Sequence, residues 1–243
     1  MGPRWIHICQ GTILSDRTII TSVDCMKKFG EDVTCGGKID ESKLQVRVGH
    51  DDFADFPDDK FVKNYAVDGV KMNEAFNIAV IATTESIAFN DKVQAVTLPD
   101  ETTRFSGVYH KAVGDREDVL IKLAFWEDDE EFEEFEFEDK PCSQPDNCIR
   151  DDIRDDEHFN SCEGNGAALV LACSDWKSYH NRAWDMECKE DVKILVGVLN
   201  DANQSCQNEV EKTRGFARTD HPEVLKFIKD MKKGNNFIVL HCL

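Results

Sequence analysis

Along this chain, apolar and polar positions alternate or cluster at the short intervals of β-structure, and one stretch near the end keeps a helical period. Cys9-Gln10-Gly11-Thr12-Ile13-Leu14-Ser15-Asp16-Arg17-Thr18-Ile19-Ile20-Thr21 reads as two strands around a Ser-Asp turn, since β-branched residues flank a pair that favours tight turns. Leu44-Gln45-Val46-Arg47-Val48 alternates apolar with polar side chains, which predicts a half-buried strand ended by Gly49. Asn77-Ile78-Ala79-Val80-Ile81 supplies a further apolar run. Later, Glu134-Phe135-Glu136-Phe137-Glu138 has the period of two that predicts a strand with one buried aromatic face. In Cys162-Glu163-Gly164-Asn165-Gly166-Ala167-Ala168-Leu169-Val170-Leu171 a cysteine leads into a glycine-bearing turn and then into a buried strand. Residues 192–199 read as another buried strand, continued by Asn200-Asp201-Ala202. From His221 to Met231, a proline at the start and apolar Val224, Phe227, Ile228 and Met231 predict an amphipathic helix ending at Lys232-Lys233-Gly234.

Length and composition narrow the class. A chain of 243 residues can bury roughly 70–75% of its unfolded surface, and all-β folds of this length commonly form one domain. Ten cysteines point to an oxidised, secreted protein. No apolar run approaches the ~18 residues of a membrane span, and Met-Gly-Pro-Arg-Trp-Ile lacks the features of a signal peptide, so the start reads as mature. A formal charge of -19 argues against nucleic acid and anionic lipid, whose phosphates need a basic face. It permits a basic protein partner.

The acidic residues are concentrated. Ten of the thirteen residues in 127–139 are acidic, and the other three are Phe132, Phe135 and Phe137. A strand with a solvated acidic loop is one reading, and a recognition patch for a basic partner with Phe132 as anchor is the other. Residues 146–157 repeat the theme with Asp151, Asp152, Asp155 and Asp156. Asp51, Asp52, Asp55, Asp58 and Asp59 crowd a third loop, which reads as a solvated surface, although its carboxylates could supply some calcium ligands. No metal or cofactor motif stands out.

Several of these stretches resemble trypsin/chymotrypsin-like serine proteases. The turn at Cys162 is similar to the family's Cys-x-Gly-Asp-Ser-Gly-Gly-Pro-Leu-Val. The segment from Cys9 to Ser22-Val23-Asp24-Cys25 is similar to Cys-Gly-Gly-Ser-Leu-Ile … Leu-Thr-Ala-Ala-His-Cys, with the same 16-residue separation of cysteines. Asn77 to Pro99 looks like Asp-Ile-Ala-Leu-Leu … Val-Gln-Pro … Leu-Pro. Arg214-Gly215-Phe216-Ala217-Arg218 looks like the pocket strand Pro-Gly-Val-Tyr-Thr, and the closing helix also has its counterpart. The resemblance implies an all-β fold of two antiparallel Greek-key six-stranded β-barrels with a C-terminal α-helix. It implies one domain over 1–243, with the first barrel at 1–101, the second at 102–220, the helix at 221–233 and a tail at 234–243.

The resemblance also assigns roles, and the residues depart from each of them. Asp24 stands where the general-base histidine belongs, and a carboxylate titrating near ~4 is poorly matched to neutral pH. Asn77 replaces the aspartate that orients the histidine. The Asp24/Asn77 pair makes better sense as a side-chain hydrogen bond than as a relay. Gly166 stands where the nucleophilic serine belongs, and Asn165 where an aspartate pairs with the processed N-terminus. The family's Ile-Val-Gly-Gly start has no counterpart here, so both partners of that activating ion pair are expected to be missing. At the specificity pocket, Asn160 replaces the aspartate of trypsins. Asn200, Asp201 and Ala202 replace Ser-Trp-Gly, the segment that pairs with substrate, so a decoy role is disfavoured. Calcium-ligand positions of the family fall near His50 and Lys60, and that ligand pattern is not kept. Ser22 and Ser161 lie near the site without a neighbouring histidine. His7, His50, His110 and His158 lack catalytic or metal-ligand spacing.

The implied disulfides are Cys9–Cys25 and Cys162–Cys206. Cys142 and Cys148 suit a short local loop where the family has a wider bridge. Cys188 is the natural substitute for the missing partner of Cys173, which leaves Cys35 and Cys242 to each other by elimination, or one of them to another chain. Asn203-Gln204-Ser205 is a glycosylation sequon at the rim of the would-be pocket. These residues predict a secreted, extracellular, non-catalytic serine protease homologue that binds a protein partner, with a role in immunity or a proteolytic cascade and no cofactor. A residual or altered serine hydrolase, and an acidic structural, storage or calcium-binding protein, stay open as alternatives.

Overall fold

The Ser15-Asp16-Arg17-Thr18 turn forms where the β-branched runs predict it. It joins β1 (Thr12–Ser15) to β2 (Thr18–Ser22) in antiparallel register, with Ile13 opposite Ile19. The Ser15 hydroxyl donates to Thr18 Oγ1 at 2.8 Å and accepts the Arg17 N–H, so the turn is closed by its own side chains. The computed structural model describes residues 9–27, 34–35, 38–39, 41–49, 62–91, 93–99, 121–127, 131–136, 148–150, 166–172, 193–199 and 213–233.

The first sheet continues through β5 (Gln45–Val48), β6 (Lys63–Asn73) and β7 (Ile78–Thr83), with the spatial order β1-β2-β7-β6-β5. A two-stranded ladder, β3 (Thr34–Cys35) with β4 (Lys38–Ile39), and a 3-10 turn at Glu41–Lys43 precede β5. β6 pairs with β5 through its first four residues and with β7 through the rest. A register shift between Val67 and Gly69 bends it between the two partners, as a bulge does. The sheet is thereby curled and antiparallel.

All six residues of β7 are buried, and their alternation explains why the run shows no polar face. Ala79 and Ile81 join a core with Ile19, Val23, Tyr65 and Val67 inside the first sheet. Ile78 and Val80 join a different core, shared with Val170, Leu195, Val198 and Ile228 from the second half of the chain. A strand covered on both faces has to be apolar throughout.

The second sheet has six strands: β8 (Ile121–Glu127), β9 (Glu131–Glu136), β10 (Cys148–Arg150), β11 (Ala168–Ala172), β12 (Lys193–Leu199) and β13 (Thr213–Arg218). Their spatial order is β10-β13-β12-β11-β8-β9, and every neighbouring pair is antiparallel. Residues 93–99 lace the two sheets together. Val96 N–H donates to Ile13 O, while Thr97 exchanges bonds with Lys193 O and Leu195 N–H at 2.9 and 2.8 Å. The C-terminal helix, α2 (Pro222–Lys233), starts on its proline as predicted. It buries Val224, Leu225 and Ile228, with Phe227 and Met231 packed partly against the shared core.

Among the described residues the first sheet has five strands, β3 and β4 standing apart from it, and the second has six. β9 is described over residues 131–136, so it begins before the expected 134–138 run, in the register of β8 with Phe132 opposite Trp126 and Phe135 opposite Leu123; residues 137 and 138 lie outside the described ones.

Candidate functional site

At the end of β2 the chain turns directly into α1 (Val23–Lys27). The Ser22 hydroxyl accepts the Cys25 N–H at 3.1 Å, an N-cap at the third helical residue. Cys25 is bonded to Cys9 with Cα atoms 5.6 Å apart, so the disulfide that the resemblance implies is present and holds α1 to the start of β1. Ser22 is fully buried, and its oxygen is already committed to the cap.

This short helix presents Asp24 to the turn at residues 74–77. Asn77 adopts a left-handed backbone, φ 51°, which asparagine tolerates better than most residues. Its main-chain carbonyl accepts the Val23 N–H at 3.2 Å. Its side-chain Oδ1 accepts the Asp24 N–H at 3.1 Å, and its Nδ2 donates to Asp24 Oδ2 at 2.6 Å. Three bonds thus tie the first turn of α1 to one asparagine. The predicted Asp24/Asn77 hydrogen bond is there, with both groups half-buried. At the rim, Lys27 Nζ meets Glu74 Oε2 at 2.5 Å, and that hydrogen bond raises the lysine above its ordinary range. Both side chains are more than half exposed, so the contact contributes about 0–1 kcal/mol.

Across the seam between the sheets lies Gly166, buried, with φ 89°. Its N–H donates to Leu199 O at 2.9 Å, and Leu199 N–H donates to Ala167 O at 2.9 Å. The glycine backbone presses against the first sheet. A Cβ built on it would overlap the Gln10 carbonyl oxygen and Thr21 Oγ1, which are themselves bonded to each other at 2.7 Å. Sequence reasoning did not single out Gln10 or Thr21, and nothing in their types advertises the contact.

Where β13 meets α2, Arg218 grips Asp220 through two bonds of 3.0 and 2.8 Å, with Asp220 only 2% exposed. Thr219 donates its hydroxyl to the carbonyls of Leu195 and Val196. His221 packs against Phe76 with ring centroids 4.8 Å apart, joining the helix start to the turn that carries Asn77.

Asn160, Asn165, Asn200, Asp201, Ala202 and Asn203 lie outside the described residues, as do Ser161, His7, His50, His110 and His158. The pairings proposed for Cys142, Cys162, Cys173, Cys188, Cys206 and Cys242 lie outside them too, and with these the partners of Cys35 and Cys148. The loop with Asp51 to Asp59, and most of residues 146–157, are likewise outside. Among the described residues no group of three or more His, Cys, Asp or Glu side chains could hold a metal ion. Among them, no helix is long and apolar enough to cross a membrane.

Residues 2–117 match the trypsin family model. The match takes in the whole first sheet, the Cys9–Cys25 disulfide and both Asp24 and Asn77. It supports a trypsin/chymotrypsin-like serine protease relationship and agrees with a mostly β-strand chain built on a curled antiparallel sheet. No curated protein matches the chain. Asp24 and Asn77, which the sequence resemblance sets against the base and its orienting carboxylate, both fall inside the match. The Asp24 carboxylate, bonded to the Asn77 amide, holds α1 to the turn at residues 74–77.

Proposed function

We propose that this chain is a secreted, non-catalytic serine protease homologue that acts by binding an extracellular protein. The two sheets are read as its two Greek-key barrels. The observation that carries the proposal is the Asp24–Asn77 bond. A working site of this class needs a base near neutral pH, oriented by a carboxylate and facing a hydroxyl. The base position here holds a carboxylate engaged by an amide, and neither Asn165 nor Gly166 offers a hydroxyl. Loss of a triad nucleophile alone costs about 10⁶ in rate. A second base or hydroxyl could restore chemistry only within hydrogen-bond reach of each other, and Ser22, the nearest described hydroxyl in sequence, is buried as a helix cap.

Extracellular residence is supported by the disulfide and the cysteine-rich composition. Binding is assigned to the loops around the former cleft, with the acidic residues 127–139 contacting a basic surface. A glycan on Asn203 would narrow that cleft further. The test compares partner capture from the native extracellular fluid by the wild type and by a variant with the acids of 127–139 changed to amides. Capture of one defined partner by the wild type, lost in the variant, is expected. Equal capture by both contradicts the acidic surface.

A further inference from the structure

Counting forward from Cys162 through Cys-x-Gly-Asp-Ser-Gly-Gly-Pro-Leu-Val puts Gly166 on the serine. Counting back from Leu169-Val170 puts Gly166 on the first glycine after the serine, and Asn165 on the serine itself. The two counts differ by one residue. A nucleophile has to point its side chain toward a substrate. At residue 166 the Cβ direction runs into the main-chain oxygen of Gln10, just before β1, and into Thr21 Oγ1 of β2. The φ of 89° is one that L side chains rarely adopt. The position is also pinned on its other side by the bond to Leu199 O, two residues before β11 begins.

We infer that Gly166 is an inter-sheet packing residue and not the vacated nucleophile position, so the turn after Cys162 is one residue shorter than the motif. The lost serine then corresponds in sequence to Asn165, and the lost activating aspartate to Gly164. This rests on the trypsin-like reading of the turn. It changes which substitution could return a hydroxyl to the site: Asn165→Ser, not Gly166→Ser. Gly166 is a glycine because backbone approaches backbone there, whatever became of the chemistry.

The test is the thermal stability of the full chain carrying Gly166→Ala, Gly166→Ser or Asn165→Ser, with Thr21→Ala as a second background. Both Gly166 variants should lose roughly 5–10 °C or more in Tm, as expected for overpacking plus a positive φ. Failure of the Gly166 variants to give soluble protein, beside a normal yield of Asn165→Ser, is the same result. Thr21→Ala removes one of the two overlapping atoms, so Gly166→Ala should cost roughly 3 °C less in that background. Gly166 variants melting with the wild type, or a loss unchanged by Thr21→Ala, overturn the inference. Covalent labelling of the wild-type chain, by contrast, tests whether the protein is non-catalytic, and its outcome leaves the packing role of Gly166 untouched.

Discussion

Asn77 gives its amide N–H to the Asp24 carboxylate at 2.6 Å and takes the Asp24 main-chain N–H on its own Oδ1 at 3.1 Å. The two residues are 53 apart in sequence, and the bonds define each other's chemistry. The Oδ1 must face an N–H, so the Nδ2 must face the carboxylate. Neither residue can be exchanged alone without leaving a half-buried polar group unmatched. Asp24 and Asn77 therefore form one structural unit.

Asn77→Ala should be strongly destabilising. It removes two side-chain bonds, one of them to a charged group, and leaves alanine at a φ of 51°. The sum is about 3 kcal/mol. Asn77→Gly, which relieves the backbone but not the bonds, should cost about 1 kcal/mol less. Urea unfolding of both variants checks the order, and an alanine variant as stable as the glycine one contradicts the role given to φ.

Asn77→Asp should make stability depend on pH. The introduced carboxylate would replace a donor by an acceptor opposite Asp24, and two carboxylates at that distance keep one shared proton. Sharing raises the folded pKa of the pair above its unfolded value. The stabilised, proton-bound form persists at acid pH and is lost as pH rises through the folded pKa. The deficit relative to wild type should therefore be smaller at pH 4 than at pH 7, measured as the urea midpoint at each pH. An equal deficit would show that the two side chains do not meet.

How much of this was legible in the sequence follows from how local each cause is. The β1–β2 turn, the β5 alternation and the start of α2 on Pro222 depend on neighbouring residues, and all three were readable. The hydrogen bond between Asp24 and Asn77 was readable because the family motif supplied their proximity. β6 gives no clear strand signal in the sequence. Its buried Tyr65 and Val67 alternate with exposed positions over only part of its 11 residues, and the pattern fades where the strand changes partner near Gly69. β9 begins three residues before the expected run because its start is set by pairing with β8, which the periodicity of one strand does not encode. The contact of Gly166 with Gln10 and Thr21 joins segments about 150 residues apart, and glycine at a turn gives no sign of what its missing side chain would strike.

Removing the Cys9–Cys25 bridge should cost about 3 kcal/mol, the value for closing a loop of this length. The Cys9→Ser/Cys25→Ser variant should unfold at lower urea, and its Asp24–Asn77 contact should loosen because α1 loses its anchor. A midpoint unchanged from wild type would contradict the anchoring role.

The Arg218–Asp220 pair should behave as a buried ion pair. Arg218→Met leaves the Asp220 carboxylate, with side-chain exposure of only 1%, without its fork and should cost about 3–5 kcal/mol. Arg218→Lys keeps the charge but not the two-point geometry and should recover part of that loss. Replacing both residues by apolar ones should cost less than Arg218→Met alone, and the reverse order in thermal melts contradicts the pair.

Reaction of the purified wild-type chain with a serine-directed fluorophosphonate, in parallel with turnover of broad peptide and ester substrates, tests most directly whether this is a binding protein and not a protease. The account predicts no incorporation of label and no hydrolysis above the buffer rate. Stoichiometric labelling of the chain, or turnover that also persists in Ser161→Ala, would contradict it.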